Sequence, residues 1–176
     1  VSTIALGTWL TVGDRLSPAE ADTLVRTAID EGVNFIDTAH SYPGAERTLG
    51  RILRGMDRSK IVLMTKCFFN RQGAPLPDGE GLSPANLRHA IETSLTETGC
   101  ETIDLYLCHR FDPKTSVRDV VQTMGALIKE GKIRAWGVGR WTVSQIEEAF
   151  QEARVQGVTE PSATQDFYNL FNPRAE

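Results

Sequence analysis

The sequence predicts an α/β fold with a parallel sheet, of the (β/α)8 TIM barrel type, with about six of the eight strands present. Three observations carry this. Runs of strand-forming residues alternate with segments whose apolar residues recur at helical spacing, and the crossover lengths suit right-handed parallel connections. No G-x-G-x-x-G fingerprint follows the first strand, which counts against a doubly wound dinucleotide-binding domain. Polar residues stand at the ends of strands two to five and within strand six, and the C-terminal strand ends are where such a barrel carries its chemistry.

The first strand lies in Ser2 to Thr8 and exits through Gly7-Thr8-Trp9. Ser17-Pro18-Ala19-Glu20 is a capping box with proline at the first helical position, and Leu24, Val25, Ala28 and Ile29 continue it at helical spacing to Gly32. Val33 to Asp37 is the second strand, an apolar run that stops on an acid, with Tyr42 five residues later. A helix from Gly44 to Leu53 ends at Gly55, and the third strand, Ile61 to Thr65, stops at Lys66. The polar stretch from Asn70 to Gly81 reads as a long loop, a kind more often functional than incidental. Ser83-Pro84 opens a helix with Leu87, Ile91 and Leu95 on one face, closed by Gly99. The fourth strand, Ile103 to Leu107, runs on to His109. Ser116 starts the next helix and Gly131 ends it; Ile133 to Val138 is strand five, and Thr142-Val143-Ser144-Gln145 caps a helix reaching Gly157. Ser162 to Phe167 is strand six, with Gln165 inside it.

With 176 residues, 40% of them apolar, and a net charge of −4, the chain has the composition of a soluble globular protein and no basic excess calling for nucleic acid. No apolar run approaches the roughly 20 residues needed to span a bilayer, and no basic-then-apolar leader opens the chain. Cys67, Cys100 and Cys108 are odd in number and not spaced as metal ligands, which suggests a reducing, cytoplasmic compartment and free structural thiols. The chain begins at Val1 and ends at Arg174-Ala175-Glu176, directly after a strand and turn. It therefore reads as one barrel domain over residues 1–176, truncated on the C-terminal side.

If the strands are parallel neighbours, Asp37, Tyr42, Lys66 and His109 meet at one rim. A phenol with an ordinary pKa of about 10 is a poor proton donor near neutrality. An ammonium in hydrogen-bonding reach is expected to lower that pKa, a carboxylate to keep the ammonium charged and oriented, and a histidine to hold a substrate oxygen or share the proton. Such a group polarises a carbonyl oxygen while hydride reaches the carbonyl carbon. Singly, each residue has a plain structural reading: Asp37 as a turn cap, Tyr42 as a turn aromatic, Lys66 as a solvated charge, His109 as a structural histidine. Together at successive strand ends they read as an active site. Trp9 and Trp141 are explained equally by core packing, and Phe68 and Phe69 are better read as loop anchors than as pocket lining. His40 and His89 read as surface polarity, and Arg51, Arg54, Arg58 and Lys60 as a solvated helix end.

These residues resemble the aldo-keto reductases. The likeness runs through Gly7-Thr8-Trp9, Asn34-Phe35-Ile36-Asp37-Thr38-Ala39 with Tyr42, Thr65-Lys66, His109, Trp136-Gly137-Val138, and Gln165 with Tyr168-Asn169. Arg110-Phe111-Asp112-Pro113 and Gly139-Arg140-Trp141-Thr142 are most similar to the branch holding the potassium-channel beta subunits and their bacterial relatives. The resemblance implies an NADPH-dependent reductase of aldehydes or ketones, with Tyr42 as general acid, Lys66 and Asp37 as its tuning pair and His109 orienting the carbonyl. It places Gly7, Thr8, Trp9, Asp37, Gly139 and Arg140 beside NADPH or substrate, and Gln165 on the nicotinamide carboxamide. Gly139 stands where the family usually has serine, removing a hydroxyl. The family's aromatic nicotinamide platform and adenosine-phosphate residues belong to its last two strands and have no counterpart in this sequence. Three alternatives follow: a cofactor-sensing channel-type regulatory subunit, a catalytically incomplete barrel, and a barrel completed by a second copy as a homo-oligomer. Vertebrate channel-associated members typically lack the histidine, so His109 favours catalysis.

Overall fold

A computed structural model describes residues 1–171; the terminal Arg174-Ala175-Glu176 lies outside them. Six strands, β1 (Ala5–Gly7), β2 (Phe35–Asp37), β3 (Val62–Cys67), β4 (Ile103–Cys108), β5 (Ile133–Gly139) and β6 (Ala163–Gln165), alternate with five helices, α1 (Pro18–Asp30), α2 (Ala45–Leu53), α3 (Pro84–Thr98), α4 (Val117–Lys129) and α5 (Val143–Gln156). The strands form one sheet in chain order, every neighbouring pair parallel. This is the strand succession of a (β/α)8 barrel, whose closed form has eight strands.

Local chemistry sets the boundaries. Ser17, Ser83, Ser116 and Thr142 each accept a hydrogen bond from a first-turn backbone N–H, and Ser17 and Thr142 complete reciprocal capping boxes with Glu20 and Gln145. Gly99 and Gly157 end α3 and α5 in the left-handed conformation, where a side chain would be strained. β1 is shorter than the sequence predicts because Ser2 Oγ, not a strand carbonyl, accepts the N–H groups of Asn34 and Phe35. β6 is also shorter: the Phe167 N–H turns onto Asp166 Oδ1.

The register decides which side chains share a face, because side chains alternate along each strand. Asp37 is level with Gly7 and Met64, so Lys66, two residues on, shares its face. Lys66 pairs with Leu107, Leu107 with Gly137, and Gly139 with Gln165. Asp37, Lys66, His109, Gly139 and Gln165 thus point to one side of the sheet. Ile36, Leu63, Cys67, Tyr106, Cys108, Trp136 and Val138 occupy the other and pack with Leu49, Leu87, Ile91, Met124 and Ala149 of the helices. Trp136, fully buried, donates its indole N–H to the Thr159 carbonyl; replacing such a residue by alanine costs about 3–5 kcal/mol.

The loop from Asn70 to Gly81 is anchored at its end. Gly81 (φ 145°) donates to the Phe68 carbonyl, Asp112 accepts the Leu82 N–H, and a Cβ on Gly81 would stand 2.5 Å from that carboxylate. Arg58 is not a solvated helix end. It pairs with Asp104 at 2.5 Å, and Asp104 also accepts the Leu63 N–H and binds Arg134, so one carboxylate ties β3, β4 and β5 below the sheet's rim. No helix among the described residues is long and apolar enough to cross a membrane.

Candidate active site

The rim assembles from four strand ends and one turn. β2 delivers Asp37, β3 Lys66, β6 Gln165, and His109 follows β4 directly, its N–H bonded to the Cys67 carbonyl. Tyr42 is set by a turn in which its N–H donates to the Ala39 carbonyl. The Lys66 side chain is only 2% exposed; its ammonium pairs with Asp37 Oδ1, donates to the Thr38 carbonyl at 2.8 Å and lies 3.4 Å from the Tyr42 phenolic oxygen. All three donors of the ammonium are thereby occupied. Asp37 Oδ2 accepts from Gln165 Nε2 at 2.7 Å, and Thr8 Oγ1 donates to the Asp37 carbonyl at 3.0 Å.

Tyr42 connects this buried group to a cleft of about 280 Å3 lined by Trp9, Ser41, Tyr42, Phe69, His109, Arg110 and Arg140. Trp9, 63% exposed, stacks on Tyr42 with centroids 6.3 Å apart, so it is a mouth residue and not core. The His109 ring meets Tyr42 edge-on at 6.1 Å and Phe69 at 5.1 Å. Phe69 therefore lines the cleft, contrary to the loop-anchor expectation, while Phe68 packs against the core. Trp141 is buried against Phe111 and takes no part. A larger groove of about 500 Å3 lies between α2 and α3 on the outer layer and gathers no comparable set of groups.

Burial pushes the Tyr42 phenol up to about 12, Asp37 adding to the rise and Arg140 opposing it. The lowering expected from the Lys66 contact is outweighed: burial and the neighbouring Asp37 carboxylate both disfavour phenolate, and Asp37 and Thr38 hold the ammonium more closely than Tyr42 does. Burial also lowers Lys66 from the usual lysine value, with Asp37 holding against it. His109 is pushed down to about 3, first by burial and then by Lys66, Arg110 and Arg140. It is neutral at physiological pH, and its buried Nδ1 has no hydrogen-bond partner among the described residues.

Gly139 is accounted for by space. A Cβ there would stand 2.9 Å from the His109 carbonyl, so the strand end meets the β4 loop as bare backbone. Arg140 (φ 57°) is held by its N–H on the Gln165 carbonyl, its guanidinium 3.7 Å from the Phe167 ring centroid. Gln165 spends its amide nitrogen on Asp37, leaving Oε1 as the atom that fits a carboxamide N–H.

Two buried polar residues were missed by sequence reading. His40 is fully buried, not surface polarity, and Glu46 is fully buried on Thr65 Oγ1 at 2.6 Å. Burial raises the Glu46 pKa, against Ser94 and Thr65. Ser94 faces the carboxyl, yet Ser94 Oγ and Glu46 Oε2 lack hydrogen-bond geometry to any described group. A signal for His40 existed: alternation from Ile36 through Thr38 puts it toward the helices. Neither residue lines the cleft. No cluster of three or more His, Cys, Asp or Glu able to hold a metal occurs among the described residues.

A sequence profile described as "Aldo/keto reductase family" matches residues 3–176. The chain belongs to the aldo/keto reductase family. Among this chain's relatives are a "Probable voltage-gated potassium channel subunit beta" of Arabidopsis thaliana, 35% identical over 97% of this chain and 52% of the relative, and one of the same description from Oryza sativa subsp. japonica, 35% identical over 98% and 53%. A "Putative voltage-gated potassium channel subunit beta" of Schizosaccharomyces pombe is 34% identical over 97% and 51%. The chain thus spans about half the length of these relatives. It is an oxidoreductase-family chain carrying the Asp37, Tyr42, Lys66 and His109 group on one rim.

Proposed function

We propose that this chain carries the proton-donating half of a cytoplasmic NADPH-dependent aldo-keto reductase acting on small aldehydes or ketones. The observation that carries the reading is the buried Lys66 ammonium, saturated by Asp37, Thr38 and Tyr42, with Tyr42 and neutral His109 converging on one cleft. Gln165 Oε1, Arg140 and the face of Trp9 fit the nicotinamide end of the cofactor, with Gly7, Thr8 and Gly139 supplying close backbone. Bound NADPH supplies the hydride that forms the new C–H bond at the carbonyl carbon. His109 hydrogen-bonds the carbonyl oxygen; as the C=O pair moves onto that oxygen, Tyr42 gives it the phenolic proton, and solvent later restores the phenol. A developing alkoxide is more basic than phenolate, so a phenol near 12 remains a competent acid for it. Lys66 then faces a phenolate, and the contact strengthens. Tyr42→Phe is expected to lower kcat by at least about 100-fold with NADPH affinity, read by tryptophan quenching, nearly unchanged; retained turnover would sink the role.

The names of the relatives favour a second reading, a cofactor-sensing regulatory subunit. Saturable NADPH binding, no NADPH oxidation on an aldehyde panel and co-purification with a channel would select it.

A further inference from the structure

The cleft holds two guanidinium groups, Arg110 and Arg140, and neither has a carboxylate partner in an ion pair among the described residues. Each lowers the pKa of His109, and Arg110 also depresses that of Arg140, so the two like charges are close enough to repel. Carboxylates near Arg110 in sequence are engaged elsewhere: Asp112 accepts from Leu82, Lys114 and Thr115. Arg140 has Asp166 as an electrostatic counterweight and the Phe167 ring beneath it. Arg110 has the Phe69 ring at 5.8 Å, and Phe69 touches the His109 ring at 5.1 Å. In a chain of net charge −4, two guanidinium groups on one cleft without an anion between them repel each other, and an anionic ligand relieves that repulsion.

We propose that Arg110 forms an anion subsite selecting carbonyl substrates that carry a carboxylate or phosphate, an inference that rests on the reductase reading for its substrate and not for its anion binding. Arg140 lies where the cofactor is expected, so Arg110 is the cation open to substrate. Phe69 holds the guanidinium by its aromatic face and fills the space between it and His109, which suits an anion separated from the carbonyl by an apolar or aromatic spacer. Charge-assisted, two-pronged pairing with the planar guanidinium supplies the discrimination.

The test has a binding arm and a turnover arm on the full chain. Benzoate, its neutral isostere benzamide and inorganic phosphate are titrated against wild type, Arg110→Gln and Arg110→Lys by intrinsic fluorescence, Trp9 being the exposed indole at the cleft. Wild type is expected to bind benzoate at least about 10-fold more tightly than benzamide, the preference lost in Arg110→Gln and partly restored in Arg110→Lys. Circular dichroism confirms that each variant is folded. In the turnover arm, the ratio of kcat/KM for 4-carboxybenzaldehyde over benzaldehyde is expected to fall about 10- to 100-fold in Arg110→Gln. Phosphate competing with benzoate in wild type alone supports the subsite and names phosphate as a further acceptable anion. Equal binding of benzoate and benzamide, or an unchanged preference in folded Arg110→Gln, overturns the proposal. Aldehyde reduction without anion preference likewise overturns it and leaves the reductase reading standing. Arg110-dependent benzoate binding without reduction of any aldehyde supports the subsite and removes the reductase reading.

Discussion

Asp37 of β2 and Gln165 of β6 meet across the strand series: Gln165 Nε2 donates to Asp37 Oδ2 at 2.7 Å across 128 residues of sequence, while the other carboxylate oxygen takes the Lys66 ammonium. One side chain thus orients β2, β3 and β6 together. The amide cannot turn toward a ligand with its nitrogen without leaving the carboxylate short of a donor. Gln165 is therefore held in rotation by that bond, with Oε1 as its remaining acceptor.

Asp37→Asn should leave a buried, unpaired lysine and cost about 3–5 kcal/mol of stability. Replacing both partners, Asp37→Asn with Lys66→Met, should recover most of that loss, because no uncompensated charge remains. Urea unfolding of the two single variants and the double variant measures the coupling. Strict additivity would mean that the pair does not hold the rim.

Both titrating groups proposed to face the carbonyl are displaced outward from neutrality. The proposed reduction needs Tyr42 protonated and His109 neutral. With Tyr42 raised to about 12 and His109 lowered to about 3, both conditions hold throughout the range between. The pH profile of kcat/KM for reduction should accordingly be flat from about pH 5 to 9, with an acid limb toward the His109 value and a basic limb above the plateau. A bell centred near pH 7 would assign the proton to another group. A His109→Gln profile that keeps the plateau while losing rate would support a hydrogen-bonding role for the imidazole.

The backbone order was legible in the sequence because capping residues and alternating strands are local signals: Ser17, Ser83, Ser116 and Thr142 start helices where the pattern places them. The rim was legible for a related reason, since strand ends of one parallel sheet gather at one edge. What the sequence could not give was the sign of the Tyr42 shift. That sign depends on which neighbour the lysine chooses and how deeply the ring is buried, both set by tertiary distances. Phe69 was misjudged, and Trp9 left undecided between core and cleft, on the same ground, because an aromatic in a loop carries no periodic signal telling one from the other. Arg58 was misjudged because its partner Asp104 lies 46 residues away.

His40 offers a stability test separate from catalysis. Its ring is fully buried beside Arg71, His89 and Glu97; one nitrogen faces the Ala74 backbone, yet neither nitrogen meets hydrogen-bond geometry with a described group. Burial and then Arg71 push its pKa down to about 4, with His89 adding and Glu97 opposing. A histidine depressed in the folded state leaves stability intact above its unfolded value of about 6.5 and removes it as pH falls toward the folded value, because the unfolded chain takes up the proton first. At about 1.4 kcal/mol per unit, His40 accounts for at most about 3 kcal/mol between pH 7 and pH 4. The neutral ring also leaves a buried donor unsatisfied, itself costing about 1–3 kcal/mol. His40→Leu should therefore narrow the gap between urea midpoints at pH 7 and pH 4 while leaving the pH 7 midpoint unchanged or higher. If the variant loses stability with acid as steeply as the wild type, the acid response belongs to His109 and the carboxylates, and His40 takes up its proton alike in the folded and unfolded chain.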